Sequence, residues 1–184
     1  VQNNGHYTVY LPAYDDERLM KVLLVCEKVQ WHVFSKNCKQ MVRAKNVVIR
    51  PIDQDAFIDS LASAEGVICG AGFETPAEAL FLGKKLMVVP MKGQYEQQCN
   101  AAALKEMGVT VLKSFKPGKV EKIMAWVETG HLIMVDYPDE TEKIINKIIA
   151  AHARSTGEKL SGKEKEYSVE QFRKMLLKKI VTQF

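Results

Sequence analysis

The sequence predicts an α/β fold, with a Rossmann-like parallel β-sheet that has helices on both faces and a C-terminal helical appendage. Two observations predict the sheet: short apolar runs alternate with amphipathic stretches, and several of these runs stop at a proline or glycine. Strands that alternate with helices form parallel sheets, because each crossover helix packs on a face of the sheet. A chain of 184 residues with 47% hydrophobic content can form one domain with a full core.

Each element follows from a local pattern. The first strand alternates and stops before Pro12, and the next segment has acidic residues early and apolar residues, such as Val25, at helical spacing. Asp53 or Asp55 is predicted to cap the following helix. The predicted strands are 6–11, 31–34, 47–49, 67–69, 86–89 and 109–112. The predicted helices are 15–29, 53–64, 74–85, 95–107, 117–128 and one after Pro138, with Ile144, Ile145, Ile148 and Ile149 on its buried face.

Residues 1–153 are predicted to form the domain, residues 154–167 a polar linker and residues 168–183 an amphipathic basic helix. From residue 154 onward there are eight Lys or Arg and four Glu, so this segment carries the whole net charge of +4. The near-neutral remainder argues against nucleic acid as a partner. Three roles stay open for the basic helix: packing within the protein, contact with a membrane surface, and dimerisation.

The most informative segment contains a glycine turn, Gly70-Ala71-Gly72, between a predicted strand and a helix that begins near Glu74 to Pro76. The start of a helix presents unpaired backbone N–H groups and the positive end of the helix dipole, and both suit a phosphate. The turn at Gly70-Ala71-Gly72, with the helix start after it, is therefore a candidate phosphate site. The glycines would equally serve tight packing between the strand and the helix.

Polar side chains follow this turn in the sequence. Glu78 lies one helical turn after Thr75, where a carboxylate can accept hydrogen bonds from vicinal hydroxyls or can be a solvated helix residue. Glu96, Gln97 and Asn100 fall on one face at the start of the next helix. This grouping suits a sugar with many hydroxyls, or a polar surface turn.

Pro51 and Ile52 follow another buried strand, at the same predicted edge of the sheet. Ligands of open parallel sheets bind at the carboxyl ends of the strands, near the point where the strand order reverses. Backbone groups of these two residues can contact a nucleobase there. A proline that only ends the strand explains the same sequence.

Together, residues 51–108 resemble the donor-binding C-terminal half of GT-B glycosyltransferases. The resemblance is closest to the peptidoglycan N-acetylglucosaminyltransferase and UDP-glycosyltransferase families. The motifs are a glycine turn, a Thr and a Glu three residues apart, a Gly-Lys pair, a Val-Pro pair and a Gln-rich run that ends in Asn-Ala. Here they are Gly72, Thr75, Glu78, Gly83, Val89-Pro90 and residues 96–101, and they lie within about a third of the chain.

The resemblance implies a nucleotide-sugar donor, with a UDP-sugar as the first expectation, and no cofactor or metal ion. It implies that the diphosphate binds at residues 70–73 and Thr75, the ribose at Glu78, the base at Pro51 and Ile52, and the sugar at Gln94, Glu96, Gln97 and Asn100. Two positions depart from the family pattern. Gly70 stands where many UDP-glycosyltransferases have a His that touches the diphosphate, and Glu96 stands where Asp is common.

The implied reaction transfers a hexose or N-acetylhexosamine to an acceptor hydroxyl. The catalytic base, which we assign to no residue here, is expected on an N-terminal acceptor domain that is missing from this chain. The chain starts with Val1 rather than Met, which also leads us to expect a piece of a longer polypeptide. Four isolated cysteines favour a reducing, cytoplasmic location, with peripheral contact at the inner membrane face through the basic helix as an alternative.

Three other functions stay open from the sequence. A nucleotide-sugar 2-epimerase on the same scaffold would bind the same diphosphate and ribose, and would form the epimer without an acceptor. A non-catalytic nucleotide-binding subunit of a split transferase would bind the donor and depend on a partner for transfer. A plain scaffold would bind neither UDP, UDP-GlcNAc nor GDP.

Overall fold

A computed structural model describes residues 3–152 of the chain. The strands are β1 (His6–Tyr10), β2 (Gln30–Ser35), β3 (Val42–Ala44), β4 (Val47–Pro51), β5 (Gly66–Cys69), β6 (Lys85–Val88) and β7 (Thr110–Val111). The helices are α1 (Asp16–Leu23), α2 (Gln54–Ser63), α3 (Glu74–Phe81), α4 (Tyr95–Glu106), α5 (Val120–Thr129) and α6 (Thr141–His152), and a 3₁₀ turn (Pro117–Lys119) precedes α5. The strands of this described part form one sheet in the order β3-β4-β2-β1-β5-β6-β7.

The predicted α/β fold, with a parallel sheet and helices on both faces, is confirmed. The sequence analysis did not predict the edge strand β3, which pairs with β4 in the antiparallel direction through a turn where Lys45 has a φ of 49°. Strand β3 has three residues, and Val42 is 54% exposed. A strand this short and this exposed has no hydrophobic alternation to reveal it.

Helix α1 is shorter than predicted, because a distant side chain satisfies the carbonyl groups after its end. The Nδ2 atom of buried Asn46 donates to the backbone oxygens of Leu23, Cys26 and Val29, at 3.2, 2.9 and 2.9 Å. The chain therefore leaves the helix after Leu23, and the prediction of a helix to Val29 was wrong. Val25, predicted to face the core, is 62% exposed.

Two other helix boundaries also differ from the prediction. Helix α3 ends at Phe81, because Gly83 takes a φ of 62° that a helix cannot continue through. Lys84 is therefore a buried loop residue and Lys85 begins β6, instead of both closing the helix. At the start of α2, Asp53 rather than Asp55 is the cap, and its carboxylate accepts the N–H of Ala56 at 2.9 Å.

The two faces of the sheet carry separate apolar clusters. One cluster joins the sheet to α1 and α5 and includes Trp31 and Trp126. The other joins the sheet to α3 and α4 and includes Cys69 and Leu80. Helices α1 and α3 therefore leave the sheet on opposite faces, and this arrangement positions the site described below.

The chain divides into two compact units, residues 1–137 and 138–184. In the described part of the second unit, Ile144 and Ile148 of α6 are 53% and 54% exposed, so the prediction that they are buried was wrong. Helical spacing shows which residues share a face, but not whether another element covers that face. The predicted domain end at 153, linker 154–167 and basic helix 168–183 lie outside the described residues. Within residues 3–152, every helix is too short or too polar to cross a membrane.

Candidate functional site

The candidate site lies where the strand order reverses, between β1 and β5. Tyr10 at the end of β1 is in register with Cys69 at the end of β5. From these ends the chain continues through Pro12 to α1 on one face, and through Gly70 to α3 on the other. Two connections that leave a parallel sheet in opposite directions open a crevice between them, and such crevices bind ligands.

Helix α3 begins at this crevice without a side-chain cap. Phe73 is its N-cap residue, and no side chain accepts a hydrogen bond from the first turn. Pro76, the third helical residue, has no N–H. Within residues 3–152, the N–H groups of Phe73, Glu74 and Thr75 make no hydrogen bond. These three donors and the positive end of the helix dipole are thus available to an anion.

A cavity of about 270 Å³ lies against these donors. Its lining residues come from the end of β1, the glycine turn and the starts of α3 and α4. They are Tyr10, Pro12, Gly70, Gly72, Phe73, Glu74, Thr75, Pro76 and Gln97. Pockets for whole ligands usually measure about 300–1,000 Å³, so this cavity suits part of a ligand, such as a diphosphate.

The structure brings most of the candidate phosphate-binding residues together. Gly70, Gly72, Phe73 and Thr75 line the cavity, whereas Ala71 is fully buried beside it. Tyr10 and Pro12 also line the cavity, and the sequence analysis did not include them. They enter the site because β1 neighbours β5, and only the strand order reveals that adjacency.

Two of the four predicted sugar-binding residues hold the loops around the cavity. The Nδ2 atom of Asn100 donates to the carbonyl oxygen of Ala71 at 3.1 Å. The Oε1 atom of Gln97 accepts from the N–H of Met91 at 2.9 Å. Gln94 and Glu96 are exposed at the start of α4, where Gln94 is the N-cap residue but makes no side-chain cap.

The residues predicted to bind the ribose and the base lie outside the lining of this cavity, near the same edge of the sheet. Glu78 is exposed on α3 as a whole residue, but its carboxyl group is partly buried. This partial burial, followed by the charge of Glu74, raises the pKa of the carboxyl group. Burial, with a smaller effect of the Glu78 charge, raises the pKa of the Cys69 thiol at the end of β5. Pro51 ends β4, and Ile52 after it is 47% exposed. The roles of these residues stay predictions.

A second cavity, of about 480 Å³, lies between α3, α4 and residues 135–137. Its lining includes the apolar side chains of Leu80, Phe81, Leu104 and Met107. Although it is larger, an apolar lining offers little to a charged group. The free N–H groups of the smaller cavity make that cavity the better site for a phosphate.

The fold and the site define a class of protein: a Rossmann-like domain with an uncapped helix at the switch point of its sheet. Residues 1–127 match the family described as Glycosyl transferase family 1. Because the match covers more than half of the chain, the chain belongs to this family. A search of curated proteins found no significant match.

Three solved structures illustrate the fold. ALG13 has a TM-score of 0.54 and 13% identity, and the match covers 80% of this chain and 98% of that one. Os79 from O. sativa in complex with UDP has a TM-score of 0.52 and 15% identity, and the match covers 81% of this chain and 36% of the Os79 chain. MurG from Acinetobacter baumannii has a TM-score of 0.51 and 19% identity, and the match covers 70% of this chain and 42% of the MurG chain. This chain therefore spans well under half of the length of Os79 and MurG.

Proposed function

We propose that this chain is the donor-binding half of a glycosyltransferase that takes a hexose or N-acetylhexosamine from a nucleotide diphosphate. The observation that carries the proposal is the set of free N–H groups at Phe73, Glu74 and Thr75, which lie against a cavity at the switch point. Family membership supports the reaction class, and the UDP in the Os79 structure supports UDP as the first nucleotide to test.

In this proposal, the N-terminus of α3 both binds the donor and promotes its cleavage. Transfer breaks the bond between the sugar and the diphosphate through an oxocarbenium-like transition state, and negative charge accumulates on the leaving diphosphate. Backbone N–H groups that already point at this position stabilise the charge without reorganising. In comparable sites, the loss of one such donor lowers turnover by about 10²–10³-fold.

The remaining predicted contacts complete the donor site. Glu78 would accept hydrogen bonds from the ribose hydroxyls, and the backbone at Pro51 and Ile52 would contact the base. Gln94, Glu96, Gln97 and Asn100 would contact the sugar. The base that activates the acceptor is assigned to a second domain, because this chain spans 36% of the Os79 chain. This chain would then bind the donor and transfer little or nothing by itself, at the cytoplasmic side of the inner membrane if residues 168–183 contact lipid.

A second candidate is the donor-binding subunit of a split transferase. One observation favours it: the match covers 98% of the ALG13 chain, so a protein of about this extent has been solved by itself. A split enzyme predicts that transfer activity returns when a separate acceptor-binding chain is added. A single-chain enzyme predicts that activity appears only when the acceptor domain belongs to the same polypeptide.

The substitution Gly72→Asp tests the donor site. A Cβ atom on Gly72 would have nothing within 4 Å, so the fold should tolerate the change. The new carboxylate would lie beside the free N–H groups, where it would repel a diphosphate and compete for the same donors. Calorimetric titration should show UDP binding to the unaltered chain and an affinity at least about tenfold lower for Gly72→Asp.

Gly118→Asp is the matched control, because Gly118 is equally open and also lies at the start of a helical segment. It should bind UDP like the unaltered chain. The proposal is wrong if the unaltered chain binds none of UDP, UDP-GlcNAc and GDP at about millimolar concentration. It is also wrong if Gly72→Asp and Gly118→Asp bind UDP equally well.

A further inference from the structure

Another cavity, of about 460 Å³, lies at the opposite edge of the sheet from the proposed donor site. Its lining includes Glu65, which precedes β5, and Lys84, which precedes β6. Because β1, β5 and β6 are parallel, the starts of these strands share the amino-terminal edge, whereas the donor site lies where they end. The volume falls within the range of about 300–1,000 Å³ that is usual for small-molecule sites.

Lys84 is the unusual residue of this cavity, because it is a buried cation without a counter-ion. It is 7% exposed, and within residues 3–152 its ammonium group makes no ion pair and no hydrogen bond. Burial lowers the pKa of this ammonium group, and no carboxylate in the described part of the chain raises it again. A buried charge is costly unless an opposite charge or several hydrogen bonds compensate it. The described residues do not supply that compensation.

The carboxylate in the cavity lining already has other partners. The Oε1 atom of Glu65 accepts from the hydroxyl group of Tyr7 and from Nζ of Lys85, both at 2.8 Å. The same Nζ atom also donates to the backbone oxygen of Val127 at 3.0 Å. Glu65 and Lys85 therefore neutralise each other, and the charge of Lys84 remains as the net charge of the lining.

The helix ends beside the cavity do not account for Lys84 either. A lysine near the C-terminus of a helix often compensates carbonyl groups that lack a donor. Here the backbone oxygen of Ser63 in α2 accepts from the N–H of Asn4 at 2.9 Å, and that of Ala79 in α3 accepts from the backbone N–H of Lys84 at 2.9 Å. Backbone donors satisfy both carbonyl groups, which leaves the ammonium group of Lys84 for a ligand.

We propose that this cavity binds a small organic carboxylate with a short apolar body, and that the ammonium group of Lys84 pairs with its charge. One unneutralised cation matches a single negative charge, and the nearby carboxylate of Glu65 disfavours a dianion such as a phosphate. Ala64, Leu82 and Leu132 in the same lining offer apolar contacts to the hydrocarbon part of the ligand. This site is separate from the donor site and does not depend on the proposed function.

Hexanoate is the probe for this site, and hexanol is its uncharged match. In an NMR titration of the 184-residue chain, hexanoate should shift the backbone amide signals of Glu65 and Gly83, with a dissociation constant in about the millimolar range. Hexanol should shift them with an affinity at least about tenfold lower, because it cannot pair with Lys84.

Lys84→Met keeps an unbranched side chain of similar length and removes the charge. It should lower the affinity for hexanoate at least about tenfold. It should also raise the melting temperature without ligand, because it removes an uncompensated buried charge. Lys122→Met is the control, because Lys122 is an exposed lysine that lines a different cavity, and it should bind hexanoate like the unaltered chain. Both variants should bind UDP like the unaltered chain.

Leu132→Ala is an independent second variant, because Leu132 is 54% exposed and the fold should tolerate its loss. It should weaken hexanoate binding at least about twofold and leave acetate binding unchanged, because acetate has almost no apolar body.

The inference is overturned if hexanoate at about ten millimolar shifts neither signal of the unaltered chain. Equal affinities for hexanoate and hexanol, or unchanged hexanoate binding by Lys84→Met or by Leu132→Ala, overturn it as well. A lower melting temperature of Lys84→Met would show that Lys84 has a partner within the protein, and would also overturn it. An unaltered chain that binds hexanoate but no UDP would overturn only the proposed function.

Discussion

Replacing His32 with Gln is expected to reduce the acid sensitivity of this fold. The rings of His6 on β1 and His32 on β2 stack under α2, with centroids 3.9 Å apart and planes 23° apart. The Nε2 atom of His6 lies 3.1 Å from both the backbone oxygen and the Oγ atom of Ser60, and Ser60 Oγ lies 3.4 Å from Nδ1 of His32. Two stacked rings, of which His6 is buried and His32 partly buried, cannot both carry a positive charge without strong repulsion.

The structure gives the size and sign of the effect. Burial lowers the pKa of His32 to about 4, with smaller contributions from the charges of His6, Arg50 and Arg43. The unfolded chain should have a His pKa of about 6.5, so below that pH it binds more protons than the folded chain. Stability is therefore complete above about pH 6.5 and is lost as the pH falls towards 4. Between about pH 7.5 and pH 5, His32 alone accounts for about 2 kcal/mol.

His6 acts in the same direction. Burial lowers its pKa, although the hydrogen bond to the backbone oxygen of Ser60 opposes this, and the charges of Arg50 and Lys84 lower it further. Its protonation also destabilises the fold as the pH falls below its unfolded value. The unaltered chain should therefore lose at least about 2 kcal/mol in total over this range.

The measurement is urea denaturation at both pH values, followed by the fluorescence of buried Trp31 and Trp126. His32→Gln should lose markedly less stability at the lower pH than the unaltered chain. His131→Gln is the control, because His131 is exposed, and it should lose as much as the unaltered chain. Equal stability of the unaltered chain at the two pH values, or equal losses in His32→Gln and the unaltered chain, would refute the reasoning.

Three further predictions concern stability and loop position. Asn46→Ala leaves three backbone carbonyl groups without their donor and should lower the free energy of unfolding by about 2–4 kcal/mol in urea denaturation. Gly66→Ala would place a Cβ atom 2.7 Å from a ring carbon of Tyr7 and should cost about 1–3 kcal/mol in thermal denaturation. Asn100→Asp sets a carboxylate against the carbonyl oxygen of Ala71 and should lower UDP affinity about tenfold in calorimetry.

Each of these changes has a matched control. Asn37→Ala and Gly118→Ala make the same substitutions at exposed positions, and Gln98→Glu adds the same charge on the same helix. Controls that change stability or UDP affinity as much as their test variants would show that the named contacts are not responsible. Test variants that behave like the unaltered chain would lead to the same conclusion, that the named contacts are not responsible.

The features that sequence predicted correctly depend on neighbours along the chain. The turn at Gly70 to Gly72 and the start of α3 after it follow from residues within one or two helical turns. The strand–helix alternation then places this turn at the carboxyl edge of the sheet. These two inferences were enough to find most of the cavity.

The features that sequence missed depend on contacts between distant residues. The end of α1 is set by Asn46, which lies 17 or more positions after the carbonyl groups it binds. Tyr10 enters the site because β1 lies beside β5, 56 or more positions later in the chain. The side chain of Gln97 is turned by the Met91 N–H, and helical spacing alone gives the face of a residue but not the direction of its amide.

The most direct test of the central claim is an NMR titration of the 184-residue chain that follows the backbone amide signals of Phe73, Glu74 and Thr75. UDP should shift all three signals at saturation, and uridine at equal occupancy should leave them nearly unchanged, because only the diphosphate reaches the start of α3. Binding of UDP that leaves these three signals in place, with shifts elsewhere, would contradict the account.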